Sequence, residues 1–436
     1  MAGDERTIEA GDGRVSRRDA MALGAAAMVA SGVGRSAQAR QSRLGDLRAQ
    51  LDRAVARDDV PGLVPGLVPG LVAGIERRGE VWTHAAGLRD RESGAPMTRD
   101  TVFAVASIGK PLTAVAALML VDDGVVRLDE PIDEWLPELA ERRVLRRPDA
   151  DLDDTVPAAR PVTLRDLLTM RMGLGLVVAD PAESPIAARM HALGVAPGPQ
   201  IFGGDERTFL DRLGSLPLVH HPGERWLYHT GIDVAGILVA RASGISLAQF
   251  QRERIFEPLG MGDTGFVAPA ERLATAYRRD PETGALETWS PAGGASFAQP
   301  PPFEAGGSGH VSTVDDFLVF GRFLLDGGRR ADGRRMLSAD LVAEMLTDQI
   351  SPKQKAASPW FPEDFWTTHG WGLGVAVRTA PADARGRFGW WGGFGTAFWC
   401  DPATDTVAAL FTQRMMGGPD DTELADRFLA AAFAPE

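Results

Sequence analysis

Strand-like segments stand near both ends of this 436-residue chain, and a long stretch of helical character separates them. Residues 71–87, LVAGIERRGEVWTHAAG, predict two strands joined by a turn at Arg78-Gly79. Three or more antiparallel strands are predicted later by GWGLGVAVRT, GRFGWWGG and GTAFWCDPATDTVAALFTQ, before a closing helix from about Asp421. The pattern favours one α/β sheet domain interrupted by a helical domain, because separated strand sets can share a single sheet.

We expect the sheet domain to comprise residues 40–125 and 295–436, with an inserted α-helical domain at 126–294. The middle region carries clear helix signals, since Thr163 is a capping residue before LRDLL and Gly244 ends the apolar helix GIDVAGILVARAS. The seam between the two domains is the expected position of a binding cleft.

The composition excludes several classes of protein. With a net charge of −13 and no cluster of Lys or Arg between aromatic residues, the chain has no face suited to nucleic acid. Cys400 is the only cysteine, so an internal disulfide is excluded. The repeat VPGLVPGLVPGLV at 60–72 predicts extended backbone, because proline at every fourth position prevents a helix, and it indicates no function.

Residues 1–39 have the pattern of a twin-arginine export signal. Arg17 and Arg18 precede the apolar stretch 20–33, and Ala37-Gln38-Ala39 offers the small residues that signal peptidase accepts. Fourteen apolar residues are too few to span a bilayer. We therefore expect a periplasmic or secreted protein with no stable membrane insertion after the signal is removed.

A serine and a lysine stand three positions apart in SIGK. The chain has only three lysines, Lys110, Lys353 and Lys355, so the lysine after Ser107 is unusual. If a helix begins at Ser107, the hydroxyl and the amine share one helix face. A serine needs a base before it becomes a nucleophile, and a desolvated lysine, unlike an arginine, can be neutral enough to serve. This spacing predicts a nucleophile and its base.

Tyr228 is one of two tyrosines, and it ends a turn-rich segment just before a helix. A phenol beside an ammonium has a lowered pKa, so we expect the pKa of Tyr228 to be lowered and its hydroxyl to move protons. The alternative interpretation is a half-buried tyrosine with a satisfied hydroxyl.

Glycines in FGWWGGFGT permit close approach of a strand edge to a ligand. The Phe394 amide is expected to face the Ser107 amide and to complete an oxyanion hole with it. The chain has no GxSxG elbow and no HExxH or HxH motif, so we expect neither an α/β-hydrolase nor a metal site. No cofactor is expected.

The order SxxK, then a Tyr-x-x turn, then a Gly-Gly strand resembles the serine β-lactamase and penicillin-binding-protein superfamily. The sequence is most similar to the class C β-lactamase-like branch, which includes family VIII carboxylesterases, as VTLRDLLTMRMGLG, HPGERWLY and IFEPLGMGDTGF indicate. The resemblance implies a β-lactamase/transpeptidase-like fold, an antiparallel sheet flanked by helices. It also implies that Ser107 is the acylated nucleophile, Lys110 its proton partner and Tyr228 the general acid and base.

Two departures from the lactamase pattern concern the substrate. Trp391-Gly392-Gly393 occupies the motif where lactamases commonly carry Lys-Thr-Gly, and Thr230 stands where relatives often have Asn. These changes remove a cation for a substrate carboxylate and an amide for a peptide-like side chain. The resemblance therefore implies that Thr230, Trp391, Gly392 and Gly393 bind a neutral, apolar ester.

Three functional hypotheses follow. The first is an exported serine carboxylesterase acting on a small-molecule ester. The second is a β-lactamase or D-amino-acid peptidase on cell-wall-type amides, and the third is a binding or sensor relative that is acylated without turnover. Segments 177–204 and 287–307 are the predicted pocket walls. The sequence does not indicate the oligomeric state.

Overall fold

A computed structural model describes the chain over five ranges, namely residues 41–55, 68–198, 200–290, 297–358 and 364–435. The predicted export signal and most of the proline repeat lie outside these ranges. The described residues of Leu51–Phe433 form one compact unit, and the described residues before and after it form a second, in which Arg43 Nη1 donates to the Ala434 carbonyl over 3.0 Å. The predicted division into a sheet domain and an α-helical domain stays a prediction.

The described residues contain fourteen strands. They are β1 (Gly70–Arg77), β2 (Glu80–Asp90), β3 (Ala95–Pro96), β4 (Phe103–Ala104), β5 (Arg143–Leu145), β6 (Thr155–Pro157), β7 (Ala276–Arg279), β8 (Leu286–Ser290), β9 (Val311–Ser312), β10 (His369–Trp371), β11 (Ala376–Arg378), β12 (Phe388–Gly392), β13 (Thr396–Asp401) and β14 (Thr406–Thr412). Eight of them form one antiparallel sheet in the order β10-β11-β12-β13-β14-β1-β2-β3.

Thirteen α-helices occur in the same ranges. They are α1 (41–55), α2 (Lys110–Asp122), α3 (Leu164–Leu168), α4 (Pro185–Leu193), α5 (Glu206–Gly214), α6 (Thr230–Ser243), α7 (Leu247–Gln251), α8 (Glu257–Leu259), α9 (Val314–Leu325), α10 (Ala339–Met345), α11 (Pro352–Ala356), α12 (Phe365–Thr368) and α13 (Glu423–Ala432). Helices α3 to α8 lie between β3 and β10 in the chain, so a largely helical region separates the two sets of strands that form the large sheet.

The predicted hairpin at Arg78-Gly79 is confirmed. Strands β1 and β2 pair up to Arg77 and Glu80, and both turn residues have positive φ, 52° and 84°, as a two-residue hairpin turn requires. The other edge of β1 pairs with β14, so the first and last long strands lie side by side in the sheet. All residues of β1 and β14 are buried, which places them at the centre of the core.

Helix α2 lies inside the protein. Every residue from Lys110 to Leu120 is buried, and α6 packs against this helix. Helix α9 packs on β1 and β14, where a Cβ added to Gly74 would collide with Val314. A lysine at the start of such a helix loses its hydration, so its amine must find hydrogen-bond partners within the protein.

Local helix signals in the middle region are also confirmed. Thr163 and Asp166 form a capping box before α3, and Gly244 ends α6 with φ 74°. Within the described ranges, no single helix is long and apolar enough to cross a membrane. One sharply bent pair, Thr230–Ser243 with Leu247–Leu259, reaches the required length and composition only when its two helices are counted together.

Candidate active site

Ser107 lies in a single turn of 3₁₀-helix, Ala106–Gly109, which leads directly into α2. The α-helix therefore begins at Lys110, whereas the sequence analysis took a helix that begins at Ser107. The tight turn still places the two side chains together, because Lys110 Nζ lies 2.8 Å from Ser107 Oγ. Ala106, just before the serine, has φ 49°, a strained value for a residue other than glycine.

The Lys110 amine is fully buried and has three hydrogen-bond neighbours. Besides Ser107, it donates to the Gly307 carbonyl over 2.7 Å and lies 3.2 Å from His229 Nδ1. Burial lowers the pKa of Lys110 from 10.5 to about 7, and the nearby Asp233 carboxylate opposes this only in part. A substantial fraction of the amine is therefore neutral at neutral pH, as a base requires.

Tyr228 completes the group at Ser107. Its hydroxyl is hydrogen-bonded to Ser107 and accepts from Trp390 Nε1 over 2.6 Å, while Lys110 Nζ lies 4.7 Å from the ring centroid. The expectation of a lowered pKa was wrong, because desolvation of the buried phenol raises the pKa and outweighs the hydrogen bonds. Tyr228 is therefore protonated at neutral pH and suited to donate a proton.

Two further residues of the site, His229 and Asp233, were missed by the sequence analysis. Asp233 Oδ2 lies 3.1 Å from His229 Nε2, and Asp233 Oδ1 accepts from the Gly307 amide over 2.8 Å. The pair extends the Ser107 and Lys110 contacts further into the protein. Their spacing of four residues, directly after Tyr228, is the one sequence signal that could have revealed them.

The Gly-Gly strand lies against the serine. A Cβ on Gly392 would collide with the Val105 carbonyl and Thr396 Oγ1, and it would lie 3.5 Å from the Ser107 amide nitrogen. Gly393 and Phe394 belong to the turn that follows β12, and both line the cavity beside Ser107. The close approach brings the two predicted oxyanion-hole segments together, and the hole itself stays a prediction.

Thr230 does not line the large cavity that contains Ser107. It opens α6, its side chain is buried, and its hydroxyl has no hydrogen-bond partner among the described residues. It borders a separate, very small cavity together with His229 and Asp233. The predicted contact between Thr230 and substrate stays a prediction, and the absence of Thr230 from the lining of the large cavity does not support it.

The cavity at Ser107 has a volume of about 750 Å³ and an aromatic lining. That size suits a small organic substrate. The Phe, Trp and Tyr residues that line it are Tyr228, Phe365, Trp390, Trp391, Phe394, Trp399 and Phe433. The Trp391 and Trp399 rings lie 4.8 Å apart, so the position that the resemblance assigned to substrate binding belongs to a continuous apolar wall.

The walls differ in part from the prediction. Pro197 and Gly198, from the predicted segment 177–204, line the cavity, but no described residue of 287–307 does. Residues of 415–433, which include part of α13, form a wall that the sequence analysis missed. Only tertiary packing brings this last segment beside Ser107, so no local pattern could have identified it.

Charged groups also reach the cavity. Arg378 Nη1 donates to His369 Nε2 over 2.7 Å, and Arg387 forms an ion pair with Asp401 over 2.9 Å. Asp426 lies near enough to Arg378 to favour the charged guanidinium. In the described part of the chain, no group of three or more His, Cys, Asp or Glu side chains is arranged to hold a metal ion.

Comparison with known proteins places the fold and site in a family. A model of the family described as Beta-lactamase matches residues 51–433. This chain belongs to the Beta-lactamase family. The family assignment confirms the predicted resemblance and the predicted fold, a large antiparallel sheet with flanking helices.

Relatives of this Beta-lactamase family member include named esterases. An uncharacterized protein of Mycobacterium tuberculosis is 38% identical, covering 78% of this chain and 84% of that protein. Esterase EstB of Burkholderia gladioli is 34% identical, covering 82% of this chain and 89% of the esterase. The solved structure of EstCE1, described as a hydrolase with promiscuous acyltransferase activity, has a TM-score of 0.72 at 24% identity, covering 91% and 99% of the two chains. The likeness to EstCE1 concerns the fold alone. The family match and the similarity to Esterase EstB together identify this chain as a serine hydrolase.

Proposed function

We propose that this serine hydrolase is a carboxylesterase that cleaves small, neutral esters through an acyl-Ser107 intermediate. The observation that carries the proposal is the buried Lys110 amine, 2.8 Å from Ser107 Oγ beside an aromatic cavity. Trp391 supports a neutral substrate, because it gives the cavity an apolar ring where a lactamase-type site has a cation. The similarity to Esterase EstB is consistent with this substrate class.

Acylation begins when neutral Lys110 takes the proton of Ser107 as Oγ bonds to the ester carbonyl carbon. The amides of Ser107 and Phe394 donate to the developing oxyanion. Tyr228 gives its proton to the alkoxide as the carbon–oxygen bond to the alcohol breaks, and the proton held by Lys110 returns to the Tyr228 oxygen. The alcohol leaves neutral, and the acyl group stays on Ser107.

Water then attacks the acyl carbonyl carbon, and neutral Lys110 takes one proton from the water. The new carbon–oxygen bond replaces the bond to Ser107 Oγ, and Lys110 returns the proton to Oγ. The products are a carboxylic acid and the free enzyme, so the cycle needs no cofactor.

A substrate panel on the purified full-length chain tests the proposal. We expect hydrolysis of p-nitrophenyl acetate and butyrate far faster than hydrolysis of nitrocefin, and loss of both activities in Ser107→Ala. An equal or reversed preference between the esters and nitrocefin overturns the proposed substrate class. Full ester hydrolysis by Ser107→Ala overturns the assignment of Ser107 as the nucleophile.

A β-lactamase or D-amino-acid peptidase is the second candidate, and Arg378 favours it. Its guanidinium lines the cavity, and its Nη1 donates to the His369 ring rather than to a carboxylate. Such a cation can pair with a substrate carboxylate. Nitrocefin turnover that falls in Arg378→Ala, with ester turnover retained, supports this candidate. Stoichiometric labelling of Ser107 without product release supports a non-turnover sensor instead.

Export is a separate proposal, supported by the pattern of Arg17, Arg18 and the apolar stretch that follows. Cell fractionation of the wild type and of a variant with both arginines changed to lysine tests it. We expect the wild type outside the cytoplasm and the variant retained within it. Equal distribution of the two proteins contradicts a twin-arginine signal.

A further inference from the structure

The three neighbours of the Lys110 amine differ in what they can do with a hydrogen. The Gly307 carbonyl, at 2.7 Å, only accepts, whereas the Ser107 hydroxyl, at 2.8 Å, can donate or accept. His229 Nδ1, at 3.2 Å, accepts only when the imidazole carries its hydrogen on Nε2. A neutral amine has two N–H donors and one lone pair, so the direction of the lone pair depends on the tautomer of His229.

Asp233 determines that tautomer. Its Oδ2 lies 3.1 Å from His229 Nε2, and its Oδ1 accepts from the Gly307 amide. Burial acts to raise the pKa of Asp233, but His229 and the Gly307 amide together hold the pKa below its usual value. The ionised carboxylate can only accept, so His229 donates from Nε2 and presents a bare Nδ1 to Lys110.

The consequence is a chain of hydrogen bonds in which Lys110 donates to His229 and His229 donates to Asp233. Both N–H groups of neutral Lys110 are taken, one by the Gly307 carbonyl and one by His229, so the lone pair faces the Ser107 hydroxyl. We propose that His229 and Asp233 are positioning residues that aim the lone pair of Lys110 at Ser107. The inference rests on the proposed role of Lys110 as the base.

The backbone of His229 supports this role. His229 has φ 88° and ψ −71°, and the Thr230 amide donates to the Tyr228 carbonyl over 3.3 Å, which is the geometry of a classic γ-turn. That conformation is rare and strained for a residue other than glycine. The turn directs the side chains of both Tyr228 and His229 to Lys110, so the strain serves the site.

Two substitutions of His229 form a matched test, because glycine and asparagine both tolerate positive φ. His229→Gly removes the acceptor, whereas the amide oxygen of His229→Asn can stand near the position of Nδ1. We expect His229→Gly to lower kcat/KM for p-nitrophenyl acetate about 100-fold, through kcat and with little change in KM. His229→Asn should recover at least about tenfold of that loss.

Asp233→Asn tests the tautomer. The Gly307 amide is a donor, so it keeps the amide oxygen of the new side chain, and the amide nitrogen then donates to His229 Nε2. His229 is left with a hydrogen on Nδ1, which donates to the Lys110 lone pair and competes with Ser107. We expect plateau kcat/KM to fall about as far as in His229→Gly, roughly 100-fold.

The pH profile separates positioning from a purely structural role. The titratable groups around the Lys110 amine are Ser107, Tyr228, His229, Asp233 and His310. Among them Asp233 favours the ammonium, so Asp233→Asn should move the rising limb of kcat/KM to lower pH. Asp316→Asn is the matched control, because Asp316 is a buried aspartate that bonds Thr264 and the Asp263 amide.

The outcomes distinguish this inference from the proposed function. Wild-type ester hydrolysis that Ser107→Ala abolishes supports the function by itself. Any one of three results overturns the positioning role. The first is a wild-type kcat/KM in His229→Gly, and the second is an equal loss of kcat/KM in His229→Gly and His229→Asn. The third is a rising limb of the pH profile that stays at the wild-type pH in Asp233→Asn. Circular dichroism and the thermal midpoint verify that each variant is folded before its kinetics are compared.

Discussion

The backbone of Gly392 in β12 lies directly against the Val105 carbonyl, with no room between them for a β-carbon. This contact holds the end of the strand against the turn that carries Ser107. We expect Gly392→Ala to separate the two segments, because the Thr396 hydroxyl closes the other side of the same space. Overpacking of this kind costs about 1–3 kcal/mol of the free energy of unfolding.

We also expect kcat to fall about 100-fold in Gly392→Ala, since the amide that we propose for the oxyanion hole would be displaced. Gly262→Ala is the control, because a Cβ at that position meets nothing within 4 Å and Gly262 is not among the residues that line the cavity. Steady-state ester kinetics and thermal unfolding of both variants provide the measurement. If the two variants lose kcat equally, the close approach at Gly392 does not position the site.

The pH dependence of acylation should follow Lys110. With its pKa lowered to about 7, the amine gains its base form as pH rises through that value, so kcat/KM should increase from about pH 6 to pH 8. Tyr228, with its raised pKa, stays protonated across this range and contributes no falling limb. Rates of p-nitrophenyl ester hydrolysis across a buffer series measure the profile. A limb near pH 10 would contradict a desolvated base.

The free energy of unfolding should also depend on pH through Lys110. The pKa of Lys110 is about 7 in the folded chain and keeps its ordinary value, 10.5, in the unfolded chain, so the unfolded chain binds more protons between these limits. The free energy of unfolding therefore rises with pH across that window, by up to about 2 kcal/mol between pH 7 and pH 9. Lys110→Met lacks this contribution. The free energy of unfolding of the wild type minus that of Lys110→Met should become more positive as the pH rises. A value that does not change with pH would refute the assignment.

Trp391 should control the length of the acyl group. Trp391→Ala removes part of the apolar wall, so KM should rise more for p-nitrophenyl butyrate than for the acetate. Two methylene groups correspond to a difference of about 15-fold at most. Trp82→Ala, on β2 and not among the residues that line the cavity, provides the control. An equal effect on both esters would indicate that Trp391 contacts the common part of the substrates.

Local sequence patterns predicted those features that depend on local chemistry. The Arg78-Gly79 hairpin and the Thr163 cap follow from turn and capping preferences over a few residues. The rarity of lysine drew attention to Lys110, and the i,i+3 spacing brought it to Ser107 even though the helix begins later than expected.

Burial and tertiary contacts explain the misses. The pKa of Tyr228 rises because the phenol is desolvated. The residues next to a tyrosine in the sequence do not determine how deeply its side chain is buried. His229 and Asp233 gain their roles through Gly307, far away in the sequence. The cavity wall at 415–433 depends in the same way on where the last segment packs.

The pairing of β1 with β14 joins the two ends of the fold, and its hydrogen bonds include one from Arg77 to Thr406, 329 positions apart. A growing polypeptide on the ribosome holds the first of these strands long before the second exists. The central sheet must therefore wait for nearly complete synthesis, and folding should be slow and exposed to aggregation during that interval. Molecular chaperones that shield the β1–β2 hairpin until β14 is synthesised would then raise the yield of folded protein.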